Sequence, residues 1–287
     1  MQIIDCHSHF GTKRGYLFRT PEALASQRRI WKTDPVYHTE QEMADYFRKN
    51  NVRVILDLAW PGRLPLPEWR TEYQYAFDVQ KAHPDAILGN WIGIDPRHGK
   101  AALAELERVA ATQSGFIGFG IHGTSYDGLP ASDPIWKPFL EFCLEAKWVV
   151  LIHTGITGIG QGTRGGGGLV LDHLHPRHVD FVAAKYPDLN ILAGRPSYPW
   201  QDDMIAILLH KANVHYELHG WSPKYVSDSL KKEINGRLQD RIMFGCDYPV
   251  LKYEKIIEDW HALGLKPEVL EKVFHKNAEA FFPNLKG

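Results

Sequence analysis

Short, nearly continuous apolar runs alternate with amphipathic stretches along the whole of this 287-residue chain. The first run begins at Gln2-Ile3-Ile4-Asp5; others occupy residues 52–58, 87–94, 116–121, 148–152, 189–193, 214–218 and 241–246. Helical patterning follows each of them, over residues 39–50, 73–83, 100–111, 134–146, 178–186, 201–211 and 225–234, with two or three helices in 253–282. Thr39 and Glu42 stand at capping-box distance, which fixes one helix start. Runs such as 148–152, apolar at nearly every position, suit strands buried on both faces of a parallel sheet. Eight strand–helix units without a compositional break predict one α/β domain over residues 1–287, a distorted (β/α)8 TIM barrel. A doubly wound open sheet is the main rival, but its Gly-x-Gly-x-x-Gly turn after the first strand is missing. Residues 11–38 interrupt the alternation and carry Tyr16, Phe18, Arg19, Arg28, Arg29 and Trp31. A long connection at this point is expected to form a lid-like insertion over the barrel mouth.

In such a barrel the active site gathers at the C-terminal ends of the strands. His7 and His9 end the first run, His122 the fourth and His153 the fifth; Glu217 and His219 end the seventh, and Asp247 the eighth. Residues two apart on a strand share a face, so His7 and His9 project together. Imidazoles from His7, His9 and His153 facing the Asp247 carboxylate make a nitrogen and oxygen set with room for one open position. One divalent cation fits that set, Zn2+ better than Mn2+. Glu217 can orient a histidine. The glycine-rich stretch 154–168 lacks the Lys-Ser/Thr of a phosphate loop. His173, His175 and His178 cluster after it, but His175-Pro176 reads as a turn before a helix, so a structural role is expected for them. Trp200 and Trp221 read as packing between barrel and helices.

A net charge of −1 and a pI near 7.0 provide no field for nucleic acid or an anionic membrane, and neither is expected as a partner. No apolar run approaches the ~20 residues of a membrane span. Cys6, Cys143 and Cys246 form no Cys-x-x-Cys and read as buried, reduced thiols. With the chain entering its first strand directly, a cytoplasmic location is expected. The expected partner is a small-molecule carbonyl or carboxylate substrate, with a homo-oligomer allowed.

Three segments carry a family resemblance: Asp5-x-His7-x-His9-Phe10, Ile152-His153-Thr154-Gly155 and Phe244-Gly245-x-Asp247-Tyr248-Pro249. Together they resemble the signature of the amidohydrolase superfamily, in particular its amidohydrolase-2 branch, which includes aminocarboxymuconate-semialdehyde decarboxylase. The likeness runs from residue 2 to about residue 282. It implies a mononuclear site with His7, His9, His153 and Asp247 as ligands on a distorted barrel. No lysine stands at the fourth strand end, where Ile121-His122 is found, so a binuclear site is not implied. One departure stands out. Where the branch places a histidine after the sixth strand, this chain reads Ala193-Gly194-Arg195-Pro196, and it gains His219 before Gly220-Trp221-Ser222-Pro223-Lys224-Tyr225. These features look most like relatives that cleave carbon–carbon bonds of β-keto compounds, such as 4-hydroxyphenyl-β-ketoacyl-CoA hydrolase. The expected activity is therefore metal-dependent hydrolysis at a carbonyl, of a C–C, ester, lactone or amide bond. Asp247 is expected to move the water's proton, His219 to serve the leaving group, and Arg195 to hold negative charge. Non-oxidative decarboxylation of an aromatic or enoic acid is the alternative. A non-catalytic binding barrel is a third, weakened by the intact ligand set.

Overall fold

The computed structural model describes residues 1–123, 128–282 and 285. Strands β1 (Ile3–His9), β2 (Val52–Asp57), β3 (Ile87–Ile92), β4 (Phe116–Ile121), β5 (Val150–His153), β6 (Ile191–Gly194), β7 (Val214–Glu217) and β8 (Ile242–Met243) pair in chain order in one parallel sheet. The barrel closes irregularly. β8 is only two residues long, against the expected 241–246, because the backbone beyond it leaves the ladder. Cys6 N donates to Phe244 O at 2.9 Å and Asp247 N to His7 O at 3.2 Å, while Asp247 takes a φ of 74°. Those bonds join the ends of the sheet and turn Asp247 toward β1.

Period-two alternation separates two cores. Outward side chains of the strands meet the surrounding helices. Inward ones, among them Ile4, Cys6, Ile55, Trp91, Leu151, Leu192 and Met243, fill the lower barrel. Gly118 is bare because the Trp91 ring crosses the interior beneath it: a Cβ there would stand 2.1 Å from that ring. Trp91 Nε1 donates to Cys6 O at 2.8 Å. With the lower barrel packed solid, polar side chains are confined to its upper rim.

The helices are α1 (Pro21–Trp31), α2 (Glu40–Lys49), α3 (Leu66–Ala82), α4 (Lys100–Thr112), α5 (Lys137–Glu145) and α6 (Arg177–Lys185). They continue with α7 (Gln201–His210), α8 (Asp228–Ile234), α9 (Tyr253–His261), α10 (Pro267–Glu271) and α11 (Asn277–Phe281). Thr39 and Glu42 form the expected capping box of α2. α3 begins before the expected residue 73: a proline in its first turn starts it, and the buried Trp69 and Tyr73 rings meet one turn apart at 4.7 Å. α8 starts later than expected, capped by Ser227, because Pro223–Tyr225 form a separate 3-10 turn. The insertion 11–38 contains α1, which its weak periodicity concealed. Thr20 caps it, accepting from Ala23 N at 3.1 Å, and Pro21 opens it. At the far end Phe281 and Phe282 join the inward core and stopper the lower barrel. Among the described residues no helix is long and apolar enough to cross a membrane.

Candidate metal centre and active site

The upper rim is built around Asp5, a buried carboxylate. It accepts from His7 N at 3.0 Å, Cys246 N at 3.1 Å and Tyr253 Oη at 2.7 Å, and also from Ser8 Oγ. Burial pushes its pKa up to about 7, against those donors. Asp5 thus ties β1 to the segment after β8, where Asp247 lies. Between Asp5 and Ser8 the register of β1 on β2 shifts. Cys6 Sγ meets Met243 Sδ inside the barrel, yet the His7 ring also turns inward, 3.9 Å from that of His219.

The four expected ligands fall into two overlapping groups that share His7. The His7 ring lies 4.9 Å from that of His9 and 5.0 Å from that of His153. Ligand atoms of His7, His9 and Asp247 fall within 4.8 Å of one another, as do those of His7, His153 and His219. Buried polar atoms are normally paired. Here His7 Nδ1, His153 Nε2 and Asp247 Oδ1 are buried without a hydrogen-bond partner. Asp247 Oδ1 stands 3.1 Å from His9 Nε2, out of hydrogen-bond alignment. Burial pulls the His7 and His153 pKa values down, leaving them as neutral imidazoles. Burial would raise Asp247, but the neighbouring His9 outweighs it and keeps the carboxylate ionised. Two neutral imidazoles, His9 paired with the Asp247 carboxylate that raises its pKa against burial, and the orphaned atoms fit a divalent cation that would displace the His9 proton.

Asp57, at the end of β2, belongs to this centre and was not singled out from the sequence. Its Oδ2 lies 3.1 Å from His7 Nε2 and 3.2 Å from His122 Nε2. Its Oδ1 accepts from Ala59 N at 2.6 Å, and its carbonyl oxygen pairs with His9 Nδ1 at 2.7 Å. Burial works to raise its pKa, but His122 and His7 prevail and bring it down to about 2. Burial lowers His122 to about 4. The available signal was position: Asp57 is the one acid in β2, at its C-terminal end.

Arg195 and His219 meet as neighbours of the ligand cluster. Arg195 Nε donates to His219 Nε2 at 3.2 Å. On the other side His219 Nδ1 and the His219 amide both bond Glu217, the amide at 2.9 Å. His219 is thereby held with its proton on Nδ1, and burial keeps its pKa well below the ordinary value. Bare positions make this possible: a Cβ on Gly194 would stand 2.6 Å from Glu217 Oε1, and one on Gly245 2.3 Å from Oε2. Burial raises Glu217 and lowers Arg195. His173, His175 and His178 take no part in the cluster. His178 lies between Ser132 Oγ at 2.7 Å and Asp172 O at 2.9 Å, and the His175 ring packs on Trp200.

Two chambers open on the centre. An inner one of about 370 Å3 exposes His9, His122, His153 and Arg195; Leu17, Phe18 and Trp31 of the insertion wall it, with Trp60 opposite. An outer one of about 600 Å3 reaches Asp247 and Arg195 past Trp221 and Tyr225. Residues of the 11–38 segment therefore form part of both walls. Arg29 Nη2 also reaches across to Gln161 O at 2.8 Å, and Arg19 lies 3.9 Å over the Trp60 ring.

The family model described as Amidohydrolase matches residues 4–283. Among solved structures, an uncharacterised TIM-barrel protein from Bordetella bronchiseptica superposes with a TM-score of 0.73 at 20% identity, covering 98% of each chain. A 5-carboxyvanillate decarboxylase from Novosphingobium aromaticivorans, solved with manganese and 4-hydroxy-3-methoxy-5-nitrobenzoic acid, gives 0.70 at 16% identity over 98% of this chain and 95% of its own. A 4-oxalomesaconate hydratase from Rhodopseudomonas palustris gives 0.67 at 16% identity over 99% and 96%. No curated protein matches the chain.

Proposed function

This chain belongs to the amidohydrolase family, and from that premise we propose that it is a metal-dependent hydrolase acting at the carbonyl of a small organic substrate. His7, His9, His153 and Asp247 hold one divalent cation in this reading, zinc or manganese. Such a cation supplies Lewis acidity, polarising a carbonyl and acidifying water. The remaining work falls to the chain. Asp247 accepts the proton of the attacking water. Arg195 places a guanidinium beside the negative charge that develops on a substrate enolate or carboxylate, where a buried charge-assisted contact is strong. His219, fixed by Glu217 and Arg195, is neutral at rest; its Nε2 takes over the proton that Asp247 removed from water and passes it to the departing carbon, nitrogen or oxygen.

The observation that carries the reading is His219 held in one tautomer against three orphaned polar atoms of the ligand set. A second reading, decarboxylation of an aromatic acid, is favoured by the structural neighbours, most of which are decarboxylases of aromatic acids. Its weakness lies at residue 195, where arginine cannot act as a base at neutral pH. The reactions separate in 18O-labelled water with the metal-loaded chain, using benzoylacetone, its ester analogues and 5-carboxyvanillate as substrates. Hydrolysis places 18O in a new carboxylate. Carbon dioxide released from 5-carboxyvanillate, with no label gained from any carbonyl substrate, would transfer the assignment to the decarboxylase.

A further inference from the structure

The space above the centre has two lobes that meet at Trp31 and Arg195, and the proposed ligands are shared between them. His9 and His153 line the inner chamber, Asp247 lines the outer, and Arg195 and Trp31 border both. Each chamber has the size of a small-molecule pocket. The sequence suggested a packing role for Trp221, but its side chain forms a wall of the outer chamber. Its ring lies 5.8 Å from that of Tyr198 and 6.3 Å from that of Tyr225, residues that are 50% and 61% exposed. Between this wall and the centre stands Gly220, at φ +80°, where a Cβ would come within 3.3 Å of Asp247 Oδ2. A bare residue there keeps the passage from Trp221 to Asp247 open. Exposed rings beside a buried polar centre call for a ligand surface of matching character.

A carboxyl group ends a molecule: its carbon bears one substituent, and one chamber holds it. A ketone, ester or amide carbon bears two that diverge. We propose that the substrate is a carbonyl compound with an arm on each side of the reacting carbon. One arm occupies the inner chamber beside Phe18 and Trp60; the other, planar or apolar, lies in the outer chamber against Trp221. This inference rests on the metal-centred hydrolase reading and narrows its substrate class.

Hydroxamic acids test it, because they chelate a cation and carry arms of choice. Benzohydroxamic acid has one aryl arm; N-phenylbenzohydroxamic acid has one on each side of the chelating group. Binding of both to the manganese-loaded full chain is measured by calorimetry, in the wild type and in Trp221→Ala. The ratio of the two affinities should favour the two-armed compound about tenfold more in the wild type than in the variant, the scale of one aromatic contact. Trp221→Phe should recover most of that preference. An equal ratio in wild type and Trp221→Ala, or rejection of the two-armed compound by the wild type, would overturn the proposal. Failure of both compounds to bind the manganese-loaded chain would instead overturn the metal-centred reading, and this proposal with it.

Discussion

His219 and Asp57 act on the same cluster in different ways, and substitution separates them. His219 is fully buried between Glu217 and Arg195, so its removal should disable proton transfer rather than cation binding. His219→Ala is expected to lower kcat by about 10² with metal content unchanged. Arg195→Lys should also be damaging, because an ammonium keeps the charge but loses the planar fork. Wild-type rates in both variants would remove the pair from the reaction. Asp57 touches His7 and His122 through its carboxylate and His9 through its carbonyl, so its influence runs through the ligands. Asp57→Asn should weaken metal affinity by about 10–100-fold, read by competition with a chelator. An unchanged affinity would make Asp57 a packing residue only. The difference in how visible these residues are in sequence has a physical basis. His7 and His9 are conspicuous because a two-residue spacing forces them onto one face of a strand. Asp57 has no such partner, and its contacts come from strands remote in sequence. The His219–Arg195 contact depends on Gly194 and Gly245 being bare, which no local pattern reveals.

At the level of elements, strands declared themselves through apolar runs, whereas ends and irregular pieces did not. β8 stops early because barrel closure passes to bonds from Cys6 and Asp247, a tertiary effect. α1 had the start signal Thr20-Pro21-Glu22, but its buried face is narrow, with Gln27 inside, so periodicity stayed weak. The packing of α11 under β7 makes a test of its own. His215 faces Phe281 with ring centroids 4.1 Å apart, and burial lowers its pKa to about 4. An unfolded histidine titrates near 6.5, so between these values the unfolded chain binds a proton that the native chain does not. The contribution is full above about pH 6.5 and is lost as pH falls toward 4. Denaturant unfolding at pH 7 and pH 5 should show His215→Phe losing about 2 kcal/mol less stability than wild type over that interval. Equal losses would mean that His215 is protonated in the folded barrel.

For the whole molecule, the upper rim concentrates buried histidines and carboxylates that a divalent cation would pair, above a lower barrel that packs on its own. Stability should therefore depend on metal: a cation bound only by the folded chain stabilises it by about 2.7 kcal/mol at one hundred times its dissociation constant. Stripping it with a chelator should lower the melting temperature by several degrees, reversibly on adding Zn2+ or Mn2+. The measurement that bears most directly on the account is metal content per chain, by elemental analysis, in the wild type and in the His7→Ala/His153→Ala double variant, with folding of each checked by circular dichroism. About one divalent ion per wild-type chain is expected, with a near-complete loss in a folded double variant. A folded double variant that still carries a stoichiometric ion would contradict that expectation.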